Sequence, residues 1–231
     1  MISKQVDELK TVIFDLDGTL VKSSHDFWRM KEEMIGYLIE LGLDGKSLSP
    51  QQTTNVLVHK MIDFLKGQGV SEAEITKALN ELNELLNGFE LENVKKTFPM
   101  EGALGVLKRL KDRGFKIGIL TRSCEAYTHK VLDLWSMHEL IEAIGARKDL
   151  LNAKPNPEAA LEVCELLNTE PNEAVLVGDH PMDLACAQAV GMQFIGILGG
   201  SSSEETLRNA GTERIARNLV DLEKILLENG E

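Results

Sequence analysis

The stretch TVIFDLDGTL, residues 11–20, carries most of the fold information in this chain. Four apolar or β-branched residues run into Asp15, and the run breaks at Asp17-Gly18. A short apolar run bounded by a turn signal reads as a strand covered on both faces, as in a parallel sheet. Similar runs occupy residues 116–120, 174–178 and 193–198, with a weaker one at 142–145. Helical patterns lie between them. Residues 101–113 carry Leu104, Leu107 and Leu110 and stop at Gly114, a candidate helix cap. Residues 157–167 place Pro157 in the first turn, where a missing N–H does no harm, and 181–190 stop at Gly191. Strand alternating with helix predicts βαβ units with right-handed crossovers, an α/β class with a Rossmann-like parallel sheet.

Residues 23–98 break this rhythm. They hold three long helical patterns, at 26–41, 51–65 and 71–86, and no convincing strand. The first two stop at Gly42 and Gly67, and the third opens on a capping-box pattern, Ser71 to Glu74. The expectation is an all-helical insertion in an α/β core made of residues 1–22 and 99–231. The run Ser201-Ser202-Ser203 before Glu204 reads as a helix cap.

Bulk composition narrows the function classes. The 231 residues include 25 basic and 37 acidic side chains, a net charge of −12. That balance opposes general nucleic-acid binding and adsorption to anionic membranes. It leaves small anionic substrates open, because a few local cations can hold a phosphate. The three cysteines, Cys124, Cys164 and Cys186, are widely spaced and form no CxxC. They read as buried thiols of a reduced protein, and with no leader-like start the expected compartment is the cytoplasm. No segment approaches ~18 uninterrupted apolar residues, so no membrane span is expected.

Four polar signals fall where the predicted strands end, which is where open parallel sheets bind ligands. The first is Asp15-Leu16-Asp17-Gly18-Thr19. Two carboxylates so close raise each other's pKa unless a cation or hydrogen bonds stabilise them, and Mg²⁺ would do so. One could attack phosphorus and the other protonate the leaving oxygen. An Asp-Gly turn with exposed acids is the simpler alternative. The second signal is Thr121, whose hydroxyl and following amides could hold phosphate oxygens, with Arg122 beside it. The third is Lys154, which alone reads as a solvated surface lysine but could neutralise phosphate and nucleophile together. The fourth is Gly178-Asp179-His180-Pro181-Met182-Asp183, a second acidic cluster, in which Asp179 alone could be a helix cap.

Together and in this order, DLDGTL at 15–20, LTRS at 120–123, KPNP at 154–157 and GDHPMD at 178–183 resemble the haloacid dehalogenase superfamily of phosphohydrolases. The stretch 183–192 also looks like family sequence. The likeness is nearest to the phosphoglycolate phosphatase type, with a helical cap inserted after the first motif. The resemblance implies that Asp15 is the nucleophile and a magnesium ligand. Asp17 is then the general acid and later the base, with its backbone carbonyl on the metal. Thr121 and Lys154 bind the transferring phosphoryl group, Asp179 ligates Mg²⁺, and Asp183 supports the site from behind. The amides of Leu16 and Arg122 also reach phosphate oxygens.

The sequence departs from the family pattern in places. Lys22 stands where an acidic residue is common, and His180 replaces a small Ser or Thr. His180 is expected to start a helix, with a direct role on substrate as the alternative, His25 to lie at the surface or in a hinge, and Phe27 and Trp28 to pack within the helical insertion, with a substrate wall as the alternative. The implied partner is a small phosphorylated metabolite, with phosphoglycolate as the default; oligomeric state is not legible. A phosphosugar mutase resembling β-phosphoglucomutase, and a non-catalytic binding module on the same fold, are the alternatives. The position of His25 counts against the first, and the retained Asp15, Asp17, Lys154 and Asp179 against the second.

Overall fold

A computed structural model describes residues 9–24 and 26–227. His25 therefore lies outside the described residues. β1, Thr11–Phe14, is wholly buried and occupies the expected residues. β2, Val21–Lys22, follows, and then the helices α1, Phe27–Glu40, α2, Thr54–Gly67, and α3, Glu72–Glu92. β3, Phe98–Pro99, pairs antiparallel with β2 through Val21–Pro99 and Lys22–Phe98. The chain thus leaves for the helical layer and returns from it through adjoining strands. The remainder runs α4 (Ala103–Asp112), β4 (Lys116–Cys124), α5 (Glu125–Leu134), β5 (Ala143–Arg147), α6 (Pro157–Leu166), β6 (Ala174–Gly178), α7 (Pro181–Ala189), β7 (Gln193–Ile197), α8 (Glu204–Asn209), β8 (Ile215–Ala216) and α9 (Leu219–Leu227).

The six-stranded sheet has the order β5-β4-β1-β6-β7-β8, and each pairing is parallel. From β1 the chain builds outward to β5, then crosses back to β6 on the other side of β1. The order reverses at β1, so a crevice opens at the carboxyl ends of the central strands. Strand alternation sends Val12 and Phe14 to one apolar cluster and Ile13 to another. The first cluster includes Leu107 and Leu110 of α4, Tyr127 and Val131 of α5 and Leu222 of α9. The second includes Val163 of α6 and Ala187 of α7. Helices therefore cover both faces, which is why the strands read as continuous apolar runs.

The helical layer has its own core. Met34 and Leu38 of α1, Leu57 and Met61 of α2, and Leu82 and Leu86 of α3 share one buried cluster, joined by Leu150 from the loop after β5. Ser71 and Glu74 form the capping box expected from their spacing. α3 runs six residues past the expected Leu86, because Phe89 and Glu90 are buried and keep the helix docked. α2 ends on Gly67 as expected, and the left-handed residue falls two positions later, at Gly69, φ 75°. Phe27 and Trp28 depart from the packing expectation: they are 55% and 51% exposed and neither joins the buried cluster of the layer, while Phe27 lines the cavity between the layer and the sheet edge. Trp28 instead donates its indole N–H to Glu32. Among the described residues, no helix is long and apolar enough to cross a membrane.

Candidate active site

Asp15 is the first residue beyond β1, and its N–H bonds to the Val177 carbonyl at 2.8 Å. The sheet ladder therefore fixes its backbone, and its side chain stands at the carboxyl edge. The next turn is tight: the amides of Leu20 and Val21 both donate to the Leu16 carbonyl. Gly18 sits in that turn at φ 89°, and a Cβ there would lie 2.6 Å from the Asp179 carboxylate. Glycine is required on both counts, backbone conformation and close approach.

Lys154, in the loop between β5 and α6, is 2% exposed, so the surface-lysine reading does not hold. Its Nζ donates to Asp15 Oδ1 at 2.5 Å and to Asp183 Oδ1 at 2.7 Å. The other Asp183 oxygen accepts from the His180 amide at 3.1 Å. His180 caps α7, its Nδ1 accepting from the Met182 N–H, and Asp183 completes a capping box. His180 is thus the helix-start residue that its position implied, and the capping role goes to it and Asp183, not to Asp179. Asp179, just beyond β6, accepts from the amide and the hydroxyl of Ser201, beyond β7.

Three buried carboxylates, Asp15, Asp179 and Asp183, bring oxygens within 4.8 Å of one another. Burial raises the Asp15 pKa well above the usual carboxylate range; Lys154 opposes this, and Asp183 and Asp179 add to it. Burial alone would lower the Lys154 pKa, yet Asp15 and Asp183 hold it above its ordinary value. One ammonium facing three carboxylates leaves negative charge uncompensated. Hard oxygen donors in that excess suit a divalent cation such as Mg²⁺.

The Asp17 side chain lies outside that triad. It accepts from Ser123 Oγ at 2.8 Å and from the Tyr127 hydroxyl at 2.7 Å. Thr121 Oγ1 accepts the Ser123 N–H at 3.1 Å. Pairing with β5 carries β4 on to Cys124, with an irregularity between Leu120 and Cys124 where Thr121, Arg122 and Ser123 sit. A buried network holds this irregular segment. Arg147, at the end of β5 and 4% exposed, donates to the Arg122 carbonyl at 2.8 Å and to Glu90 of α3 at 2.7 Å. Glu90 accepts the Cys124 N–H at 2.7 Å, and Asn83 of α3 accepts from Arg147.

These groups line one cavity of about 360 Å³ between the sheet edge and the helical layer. Asp15, Asp17, Thr121, Arg122, Lys154, Asp179 and Asp183 all face it; Leu16 is buried in the core below. Sequence reasoning does not single out Ser123, Tyr127, Ser201, Glu90 or Arg147. Ser201 has an available signal, since it follows a predicted strand at the same edge. Ser123 has the same signal, lying within LTRS at 120–123 after a predicted strand, whereas Tyr127, Glu90 and Arg147 are reached only through long-range packing.

The profile of the haloacid dehalogenase-like hydrolases matches residues 12–197. A phosphoglycolate phosphatase of Psychrobacter arcticus is 28% identical over 85% of this chain and 86% of its own length. The pyrophosphatase PpaX of Bacillus pumilus is 27% identical over 93% and 94%. Among solved structures, a hydrolase from Pseudomonas syringae superposes with a TM-score of 0.68 at 21% identity, covering 95% of this chain and 98% of that one. The chain belongs to the haloacid dehalogenase-like hydrolase family.

Proposed function

We propose that this enzyme is a Mg²⁺-dependent phosphatase that hydrolyses a small phosphate monoester through a phosphoaspartate on Asp15. The observation that carries the reading is Lys154, buried between Asp15 and Asp183 at the sheet edge. A buried ammonium held between two carboxylates of an acidic cluster serves an incoming anion better than it serves stability alone. Relatives named as phosphoglycolate phosphatase and as pyrophosphatase fit that chemistry, and phosphoglycolate remains the default substrate.

In this reading Asp15, Asp179 and the backbone carbonyl of Asp17 hold the metal, with Asp183 beside them. The triad oxygens make Asp183 a candidate ligand as well. Bound Mg²⁺ would offset the charge of the phosphate and of the carboxylates around it. Thr121, Lys154 and the amides of Leu16 and Arg122 hold the phosphoryl oxygens. A carboxylate oxygen of Asp15 attacks phosphorus as the bond to the leaving oxygen breaks, and Asp17 gives that oxygen its proton. Asp17 then takes a proton from water, whose oxygen attacks phosphorus and breaks the bond to Asp15. Inorganic phosphate leaves and both aspartates return to their first state. Ser123 and Tyr127 fix the Asp17 carboxylate, a supporting pair that the sequence does not reveal.

Residues 23–98 form a helical cap over a core of 1–22 and 99–231, and the cap excludes bulk water during turnover. The buried free thiols suit a reducing, cytoplasmic setting. The test is phosphate release from phosphoglycolate, pyrophosphate and other small esters, with and without Mg²⁺. Metal-dependent release supports the reading; folded protein that releases phosphate from none of them overturns it.

A further inference from the structure

Four cations line the cavity: Lys31, Arg122, Arg147 and Lys154. Two are balanced at contact distance, Lys154 by Asp15 and Asp183 and Arg147 by Glu90. Lys31, on α1, and Arg122, on β4, are not. Among the described residues neither forms an ion pair with a carboxylate, and their partners are neutral. Lys31 Nζ donates to the Gln52 carbonyl at 2.5 Å. Arg122 donates to Asn55 Oδ1 at 3.1 Å and to Met182 Sδ at 3.3 Å. Neutral acceptors orient a cation without neutralising it.

The two anchors are three residues apart, Gln52 just before α2 and Asn55 in its first turn. One turn therefore holds a cation from the helical layer and one from the sheet edge in the same corner of the cavity. Thr53 and Thr54, at the start of α2, line that corner too. The charges feel each other: burial lowers the Lys31 pKa, and Arg122 lowers it further. Glu90 and Asp183 oppose burial at Arg122 from a longer range, but each is already engaged by Arg147 or Lys154. Like charges gathered in a partly desolvated corner are costly unless an anion arrives between them.

We propose that Lys31, Arg122 and the first turn of α2 form a subsite for a second negative charge on the substrate. The preferred leaving group is then itself anionic, a carboxylate or a second phosphoryl group. The proposal rests on the phosphatase reading above. Arg122 adjoins Thr121, so the subsite lies one residue from the expected phosphoryl position, and Lys31 closes it from the helical side. A cavity of about 360 Å³ suits a ligand of this small size.

The experiment compares kcat/KM for phosphoglycolate and 2-hydroxyethyl phosphate, a pair that differs in one carboxylate, with pyrophosphate as a third substrate. Wild type should favour an anionic leaving group over 2-hydroxyethyl phosphate at least about tenfold. In Lys31→Met that ratio should fall towards one, chiefly through KM, while Lys31→Arg should keep most of it. Lys31 is half-buried, and circular dichroism would verify that both variants fold. Preference for phosphoglycolate identifies the second charge as carboxylate, and preference for pyrophosphate identifies it as phosphoryl. A wild-type ratio near one, or a ratio that survives Lys31→Met, overturns the subsite while the phosphatase reading stands. Absence of release from all three substrates overturns both.

Discussion

The sheet edge and the helical layer are built on different principles. At the edge, Asp15 and Asp179 sit at the ends of adjacent buried strands, and Asp183 lies in the first turn of the helix after the second. Their positions follow from backbone ladder bonds, which leave little freedom. The helical layer has a separate apolar cluster, and its covalent path to the sheet runs through the short β2–β3 pair. Polar groups join the two regions along α3, where Glu90 and Asn83 meet Arg147 and the backbone of β4. The two walls of the cavity therefore differ in how they are held, one by the ladder of the sheet and the other by its own apolar cluster.

The largest effect should come from the edge. Asp15→Asn keeps the shape but removes the proposed nucleophile, and phosphate release should fall by about 10³-fold or more with the fold retained. Release that survives the substitution would move the chemistry elsewhere. The junction comes next. Arg147→Met leaves Glu90 buried and unpaired, and urea titration should show a loss of about 3–5 kcal/mol. Activity should fall as well, because the Arg122 carbonyl loses its donor and Glu90, which accepts the Cys124 amide, loses the partner that holds it in place. Adding Glu90→Leu to Arg147→Met should recover stability more than activity, which separates the junction's structural role from its positioning role.

A smaller effect concerns the metal. Mg²⁺ at about 100 times its dissociation constant should add roughly 2.7 kcal/mol to stability by linkage. Hydrogen exchange should slow at the loops after β1 and β6 and change little in α1 and α2. Equal slowing in the helical layer would mean that the metal also locks the two regions together. The smallest expected signal is thiol reactivity. Cys124, Cys164 and Cys186 belong to the sheet clusters, and none lies in the helical layer. Burial pushes each thiol up to about 11, so at pH 8 little thiolate is present and Ellman's reagent should react slowly. Reaction rate should follow sheet unfolding in urea and ignore any opening of the helical layer.

Legibility from sequence divides along the same line. β1 and β6 fall on their expected residues because strands covered on both faces admit only apolar side chains. β4 extends four residues beyond its apolar run, since Thr121 to Cys124 is polar and irregular and depends on Arg147 and Glu90 for its shape. α5 and α9 do not stand out in the sequence pattern, nor do β2, β3 and β8, which are two residues long, whereas α8 starts at Glu204 with Ser203 as its cap, as the serine run implied. Lys154 shows the limit of local reasoning, since its immediate neighbours describe an exposed loop and its burial comes from Asp15, 139 positions away. Phe27 and Trp28 belong in a helical core by their chemistry alone, but the orientation of α1 leaves both half exposed, with Phe27 on the cavity wall.

The sequence by itself determined the class of fold, the interruption by helices, and four polar signals at strand ends. Hydrophobic periodicity and turn residues are local properties that survive without coordinates. Only the tertiary structure decided that Ser123 and Tyr127 hold Asp17, that Ser201 holds Asp179, and that Lys31 and Arg122 share a corner without a counter-charge. Each of these links residues from separate elements, and their meeting depends on strand order and helix rotation, which no short stretch of chain encodes.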